Sequence, residues 1–437
     1  MVRLRDLFVP AVAALLALAA CNALVGVDEV VTKKSKDGGT SDPGSNPGTD
    51  PGTPGGEPGT PGTTNDGGGP LTSSLAIAAG HNNTCARKAD GTVACWGDNS
   101  AGQLGVDPTA TPKVFSPTLV PGLTGVTQTC GGDSFTCALK TGGQVVCLGK
   151  NDFGQLGNGT SGASSTTPVV VSLTGAAKEI ACGYAFACAV VGNGDVQCWG
   201  RNRYRELGST TSQETNGTPI AVPGLAGVKH VSAGWYHTCA VASSGLLTCW
   251  GANDSGQAGH ASNSQPVAGC STCVGPDSVA GIANVDVVAS GNDFTCARAG
   301  AVITCFGRNE VGQLGNGMTA ASSPTATTVM GLSDPGFLAL GSRHACVART
   351  SGRVSCWGGG SDGSLGSGAG DGGGSASPVP VTVLSLTNAA AVAAGAEHSC
   401  AVTASNEVYC WGTANYGELG DGTTAAKTAF IPQKVQL

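Results

Sequence analysis

From Leu71 onward the chain alternates short apolar runs with glycine-rich polar turns, and Leu, Ile and Phe never gather into the long stripe of an amphipathic helix. Small-residue runs such as Leu75 to Ala79 and Val285 to Ala289 each precede a glycine. Two more strand-like segments follow, joined by a turn such as Asp90-Gly91 or Gly194-Asp195, which reads as a β-hairpin. A last piece carries proline, as in Pro117 to Val120, Pro219 to Val222 and Pro378 to Val381. Proline lacks an N–H, so this piece belongs on the outer edge of a four-stranded sheet.

The unit repeats in a fixed lattice. A glycine stands five residues before a cysteine at Gly80/Cys85, Gly132/Cys137, Gly183/Cys188, Gly234/Cys239, Gly291/Cys296, Gly341/Cys346 and Gly395/Cys400. A second cysteine follows at Cys95, Cys147, Cys198, Cys249, Cys305, Cys356 and Cys410, each two residues before a glycine. Seven sheets at intervals of 50 to 57 residues, with no β-α-β crossover pattern between them, predict an all-β, seven-bladed β-propeller with four-stranded antiparallel blades.

The hairpins account for the cysteines. In six units the pair is ten positions apart, so a three-residue turn such as Ala89-Asp90-Gly91 sets the two opposite each other. In the fifth, Cys296 and Cys305 are nine apart and a two-residue turn at Gly300-Ala301 restores the opposition. Opposed residues of an antiparallel pair are close enough to bridge. The expected disulfides are Cys85–Cys95, Cys137–Cys147, Cys188–Cys198, Cys239–Cys249, Cys296–Cys305, Cys346–Cys356 and Cys400–Cys410. Cys130 lies seven positions before Cys137 and Cys182 six before Cys188, so the two point to opposite faces of neighbouring inner strands. Packed blades meet through opposite faces, which makes Cys130–Cys182 a bridge between blades two and three. Cys270-Ser271-Thr272-Cys273 could be a redox motif or half a zinc site, but no helix start and no second ligand pair accompany it. A local disulfide, Cys270–Cys273, pinning the longest inter-blade loop is the better reading.

The repeat resembles that of the regulator of chromosome condensation family. His237-Thr238-Cys239-Ala240 and then Trp250-Gly251-Ala252-Asn253-Asp254-Ser255-Gly256-Gln257-Ala258-Gly259 carry the likeness, as do Trp96-Gly97-Asp98-Asn99 with Gly102-Gln103-Leu104-Gly105, and Trp411-Gly412 with Gly417-Glu418-Leu419-Gly420. The resemblance covers residues 71–437 and implies a seven-bladed propeller. For function it implies a range from nucleotide exchange on chromatin to protein inhibitors and bacterial surface proteins.

Composition narrows that range. Lys plus Arg number 22 against 29 Asp plus Glu, which leaves no basic stripe for nucleic acid. Nineteen cysteines, fourteen of them paired in the repeat, favour an oxidising compartment. Arg3 and Arg5 precede an apolar stretch from Leu7 to Ala20, interrupted by Pro10, which ends in Leu18-Ala19-Ala20-Cys21. Residues 1–20 therefore read as a signal peptide, and the ending resembles a bacterial lipobox, which implies lipid attachment (diacylation, palmitate-type) at Cys21. Residues 21–70 are rich in Gly, Pro and Thr, with near-repeats such as Pro51-Gly52-Thr53 and Pro58-Gly59-Thr60, and read as a flexible tether. The expected location is the bacterial cell envelope, at the outer membrane.

No catalytic motif stands out. His237, His344 and His398 share a column with Asn83, Phe135, Phe186 and Phe294, as a packing position would, while His81 is displaced and His230 and His260 stand alone. Trp96, Trp199, Trp250, Trp357 and Trp411 alternate with Leu148 and Phe306, which suits blade-to-blade packing. Trp235 and Tyr236 occur in one unit only, and Arg203, Tyr204 and Arg205 interrupt the Asn-x-x-Gly-Gln turn of the third. These five are the candidate binding contacts. With no cofactor or metal site in view, the expectation is a non-catalytic, monomeric propeller that binds a protein or glycan partner. An inhibitor of an extracytoplasmic enzyme, or a propeller hydrolase or lyase, are the alternatives.

Overall fold

The computed structural model describes residues 75–437 apart from 210, 212, 262–265, 268–269 and 369–375. The leader, Cys21 and the tether lie outside the described residues. The rest folds into seven antiparallel sheets, each contiguous in sequence: blade one runs from Ala76–Ala79 to Lys113–Leu119 and blade seven from Ala389–Ala394 to Lys427–Val435. Six blades have four strands. Blade four has a fifth, because Pro266–Val267 pairs onto its outer strand Cys270–Ser278. This corrects the sequence reading of Cys270 and Cys273, which are bonded to each other within that strand and not in a loop.

The hairpin register sets each cysteine opposite its partner, as with Cys85 and Cys95 or Cys296 and Cys305, and each of the seven hairpin pairs is bonded. The ladder between third and outer strands shifts its register just past the second cysteine, for example between Cys95 and Gly97. In blades one, three and seven the slip leaves Pro117, Pro219 and Pro432 outside the paired register, where a missing N–H costs nothing.

The Cys-Trp dipeptide encodes the ring. Adjacent residues on a strand point to opposite faces, so the disulfide of one blade faces forward while the following tryptophan faces back. Cys137–Cys147 accordingly packs with Trp199, Cys188–Cys198 with Trp250, Cys346–Cys356 with Trp411 and Cys239–Cys249 with Phe306. Each indole N–H also donates to a carbonyl of the blade behind it: Trp199 to Gln155, Trp250 to Glu206, Trp357 to Gln313 and Trp411 to Ser364. Apolar burial and one hydrogen bond thus recur at successive seams.

Cys130 and Cys182 are bonded across the seam between blades two and three, with Cα atoms 5.5 Å apart. Cys130 also lies directly opposite Cys137, so three cysteines stand abreast in blade two. Replacing Cys130 and Cys182 together by serine should cost about 2 to 3 kcal/mol, because the bridge closes a long loop in the unfolded chain. Denaturant midpoints would measure the loss. A nonreducing peptide map showing Cys130 bound to Cys137 would refute the cross-blade bridge.

Candidate functional site

The glycine five residues before each first cysteine lies where neighbouring backbones cross at the channel. A Cβ on Gly234 would stand 2.4 Å from the carbonyl oxygen of Gly291 and equally close to the His237 ring, so only glycine fits. The next residue in each blade borders one mouth of the central channel, a space of about 120 Å³ whose lining includes His81, Asp133, Tyr184, Trp235, Asn292, Ser342 and Ala396. A belt of backbone bonds holds these residues: His81 N–H to Gly132 O, Asp133 N–H to Tyr184 O, Trp235 N–H to Gly291 O and Ala396 N–H to His81 O.

Four of them meet. His81 Nδ1 and Asp133 Oδ1 are 2.7 Å apart, and the His81 and Trp235 rings approach to 5.2 Å although they come from blades one and four. Tyr184 lies 5.2 Å from Trp235 and 5.7 Å from Tyr236, and Tyr204 is 4.9 Å from Tyr236. Burial is the first cause that raises the Tyr184 phenol, followed by the Asp133 charge. Beside this sheet of rings lies a groove of about 410 Å³ bordered by Lys150, Asp152, Phe153, Arg201, Arg203 and Glu214.

Arg201 sits among the rings. Its guanidinium carbon is 4.7 Å from the Tyr236 centroid, 5.2 Å from Tyr204, 5.8 Å from Phe153 and 6.0 Å from Tyr184. The nearest carboxylate is Glu206 Oε1, 4.0 Å from Nε, beyond hydrogen-bond reach. Glu206 is itself buried, and desolvation pushes its carboxyl up to about 7.

Of the five candidate contacts, the structure brings Trp235, Tyr236 and Tyr204 into the cluster and leaves Arg203 exposed at its edge, over the Tyr204 ring. Arg205 is turned away, buried, with Nη1 donating to Thr211 O at 2.8 Å. It holds a left-handed φ of 65° where Gly256 and Gly312 stand in other blades. Sequence reasoning missed Arg201, Tyr184, Phe153 and the His81–Asp133 pair. The signal was present as a column: comparing the residue after each channel glycine collects His81, Asp133, Tyr184 and Trp235 at once.

The column histidines are structural. Thr295 Oγ1 donates to Gln257 O, so it accepts from His237 Nε2 at 2.7 Å, and the pattern recurs at His344–Ser399 and His398–Thr84. Complete burial keeps His237 and His398 neutral, pushed down to about 3. His230 is not isolated as expected: its Nδ1 meets Glu179 Oε1 at 2.5 Å and its Nε2 meets Val288 O at 2.8 Å, linking blades three, four and five. Among the described residues no group of three His, Cys, Asp or Glu could hold a metal ion.

A ring of seven sheets whose repeat residues hold its seams, with one mouth dressed by aromatic side chains, defines a seven-bladed β-propeller built from a single repeat. The chain belongs to the RCC1-like domain family: that family's model matches residues 48–336, and regulator of chromosome condensation (RCC1) repeats match 351–402, 389–418 and 405–437. It is 31% identical to the ultraviolet-B receptor UVR8 of Arabidopsis thaliana over 365 residues, 81% of this chain and 80% of that protein. It is 28% identical to the human E3 ubiquitin-protein ligase HERC2 over 305 residues, 67% of this chain and only 6% of the ligase. Among solved structures it is similar to yeast RCC1 (Prp20) bound to Kap60, with a TM-score of 0.71 at 20% identity, covering 84% of this chain and 85% of that one. It is also similar to Prp20p of Saccharomyces cerevisiae, with a TM-score of 0.66 at 22% identity over 75% and 81%.

Proposed function

We propose that this chain is a non-catalytic binding protein of the bacterial envelope, tethered through a lipid on Cys21, whose propeller recognises a protein partner on the face that carries Trp235, Tyr236 and Arg201. The observation that carries the reading is the ring cluster drawn from blades one, three and four, continuous with the aromatic faces of blades two, three and four that hold the Arg201 cation. Aromatic and arginine side chains at a rigid, half-buried surface are the residue types that dominate protein interfaces. Solved relatives support it, since yeast RCC1 (Prp20) is found bound to Kap60 and Prp20p has binding properties toward Gsp1p and histones. A glycan fits less well. A sugar ring needs an open aromatic face to stack on, and Phe153, Tyr184, Tyr204 and Tyr236 turn theirs toward Arg201.

The test is cross-linking of the full chain in envelope extracts, wild type beside a Trp235→Ala, Tyr236→Ala double variant, with a broad hydrolase substrate panel in parallel. A partner captured by the wild type and lost in the variant is expected. Turnover abolished by one Asp, Glu or His substitution at the rim, with no partner recovered, would overturn the reading. Processing is tested separately, because mass spectrometry of the mature chain should find a diacylated Cys21 as the first residue. An unmodified amino terminus elsewhere would remove the lipid anchor.

A further inference from the structure

We propose that the Arg201 groove is a receptor for a carboxylate side chain on an acidic peptide segment of the partner, a reading that rests on the binding role above and names its chemistry. The guanidinium is fixed: four rings surround it and its side chain is only 11% exposed. Arginine donors that deep in a protein ordinarily end on carbonyls or carboxylates. Here no carbonyl or carboxylate among the described residues accepts a hydrogen bond from it, and Glu206 Oε1 stops at 4.0 Å. Two other arginines of the ring, Arg298 and Arg349, are by contrast paired with Asp286 and Asp334. Arg201 is therefore an oriented donor fork awaiting an acceptor, opening on a groove with room for several atoms.

The surroundings select which acceptor. Aromatic faces on the guanidinium leave its edge as the donor surface, and an edge presents coplanar N–H groups that match a flat carboxylate in two parallel bonds. A phosphate or sulfate dianion fits less well, because Asp133, Asp152 and Glu214 border the groove against Arg201, Arg203 and Lys150, and a lining with no net positive charge leaves a second negative charge uncompensated. A singly charged carboxylate meets Arg201 directly while exposed Arg203 offsets the acids at the rim. Because the fold has already stripped most of the water from the Arg201 guanidinium, its share of the desolvation cost of pairing is met before the acid arrives.

The experiment pans a random dodecapeptide display library on the full chain and measures the selected peptides by fluorescence anisotropy against wild type, Arg201→Lys, Arg201→Gln, Arg203→Gln and the Trp235→Ala, Tyr236→Ala double variant. Peptides rich in Asp and Glu are expected. Their affinity should fall about tenfold or more in Arg201→Gln and by an intermediate factor in Arg201→Lys, which keeps the charge and loses the fork. Unchanged melting temperature and unchanged disulfide map in Arg201→Lys separate this effect from misfolding. Selected peptides without acidic residues that still depend on Trp235 and Tyr236 would overturn the carboxylate assignment and leave the binding face intact. Peptides indifferent to all of these residues, or no selection at all, would overturn both. Displacement of the peptides by polygalacturonate at equal carboxylate concentration and greater potency than polyglutamate would reassign the groove to a uronic acid glycan. Arg201-dependent self-association in sedimentation, with no peptide binding, would reassign it to a second copy of this chain.

Discussion

Trp96→Ala should cost about 3 to 5 kcal/mol of stability and loosen the junction between blades seven and one ahead of the rest of the ring. Every other junction is crossed by the chain itself, because the outer strand of one blade runs on into the inner strand of the next. Blades one and seven are each built from consecutive strands, so no strand from one terminus completes the sheet of the other. What holds this seam is non-covalent. Trp96 is fully buried against Cys400 and Cys410, and its indole N–H donates to Glu418 O at 2.7 Å. Thr84 Oγ1 meets His398 Nε2 at 2.9 Å, Ala396 N–H donates to His81 O, and Leu75 N–H donates to Asn406 Oδ1. Removing the indole deletes the largest apolar contribution and strips a carbonyl of its best donor.

Trp250→Ala is the matched control, since Trp250 makes the same contacts inside a seam that the chain crosses. Both variants should lose comparable denaturant stability. Only Trp96→Ala should show early hydrogen exchange confined to strands Asn83–Arg87, Val93–Asp98 and Val408–Ala414. Equal protection in the two variants would show that the open seam is no weaker than the others. Trp96→Phe should lose only about 1 to 2 kcal/mol, because Phe306 fills the equivalent place between blades four and five.

How much of this could be read beforehand follows from where each feature is encoded. Hairpin length, the opposition of Cys85 to Cys95 and the alternating directions of Cys and Trp are properties of one short stretch, and strand parity turns them into seams directly. Prolines on the outer strand work the same way. The Cys270–Cys273 segment misled because Gly, Ser and Thr around it lack the apolar alternation of a strand, yet its edge position needs none. The Arg201 cage lies at the other extreme. Its rings come from Phe153 in blade two, Tyr184 and Tyr204 in blade three and Tyr236 in blade four, and only the closed ring decides that they meet. His230 and Glu179 belong to the same class: 51 residues separate them, and neither has a sequence neighbour that announces the other.

Glu418→Gln should stabilise the protein increasingly as pH rises, by about 3 kcal/mol more at pH 8 than at pH 4.5. Glutamine holds this position of the turn in four other blades, and the amide oxygen of Gln103, Gln155, Gln257 and Gln313 accepts the backbone N–H two residues earlier. Glu418 makes the same bond through Oε2 to Tyr416 N–H at 2.7 Å. One carboxyl oxygen therefore does the amide's work while the group as a whole is stripped of water. Desolvation, and then the charge of Asp98, push its pKa from 4.5 up to about 7. The folded state holds this proton more tightly than the unfolded chain. Its contribution is intact below pH 4.5, declines as pH rises through the window from 4.5 to 7, and is lost above it. The wild-type curve alone would conceal this, because His237 and His398 are lowered from 6.5 to about 3 and pull the other way. Below pH 6.5 the unfolded chain takes up protons that those buried rings refuse. The difference between variant and wild type cancels the histidines and isolates the glutamate. Denaturant midpoints at pH 4.5, 6 and 8 would measure it, with Glu206→Gln as a companion whose gain should be of similar size, because burial pushes that carboxyl up to about 7 as well, against the pull of Arg201. A pH-independent difference for Glu418→Gln would mean that water reaches this carboxyl at the seam, and that the junction of blades seven and one is open in solution.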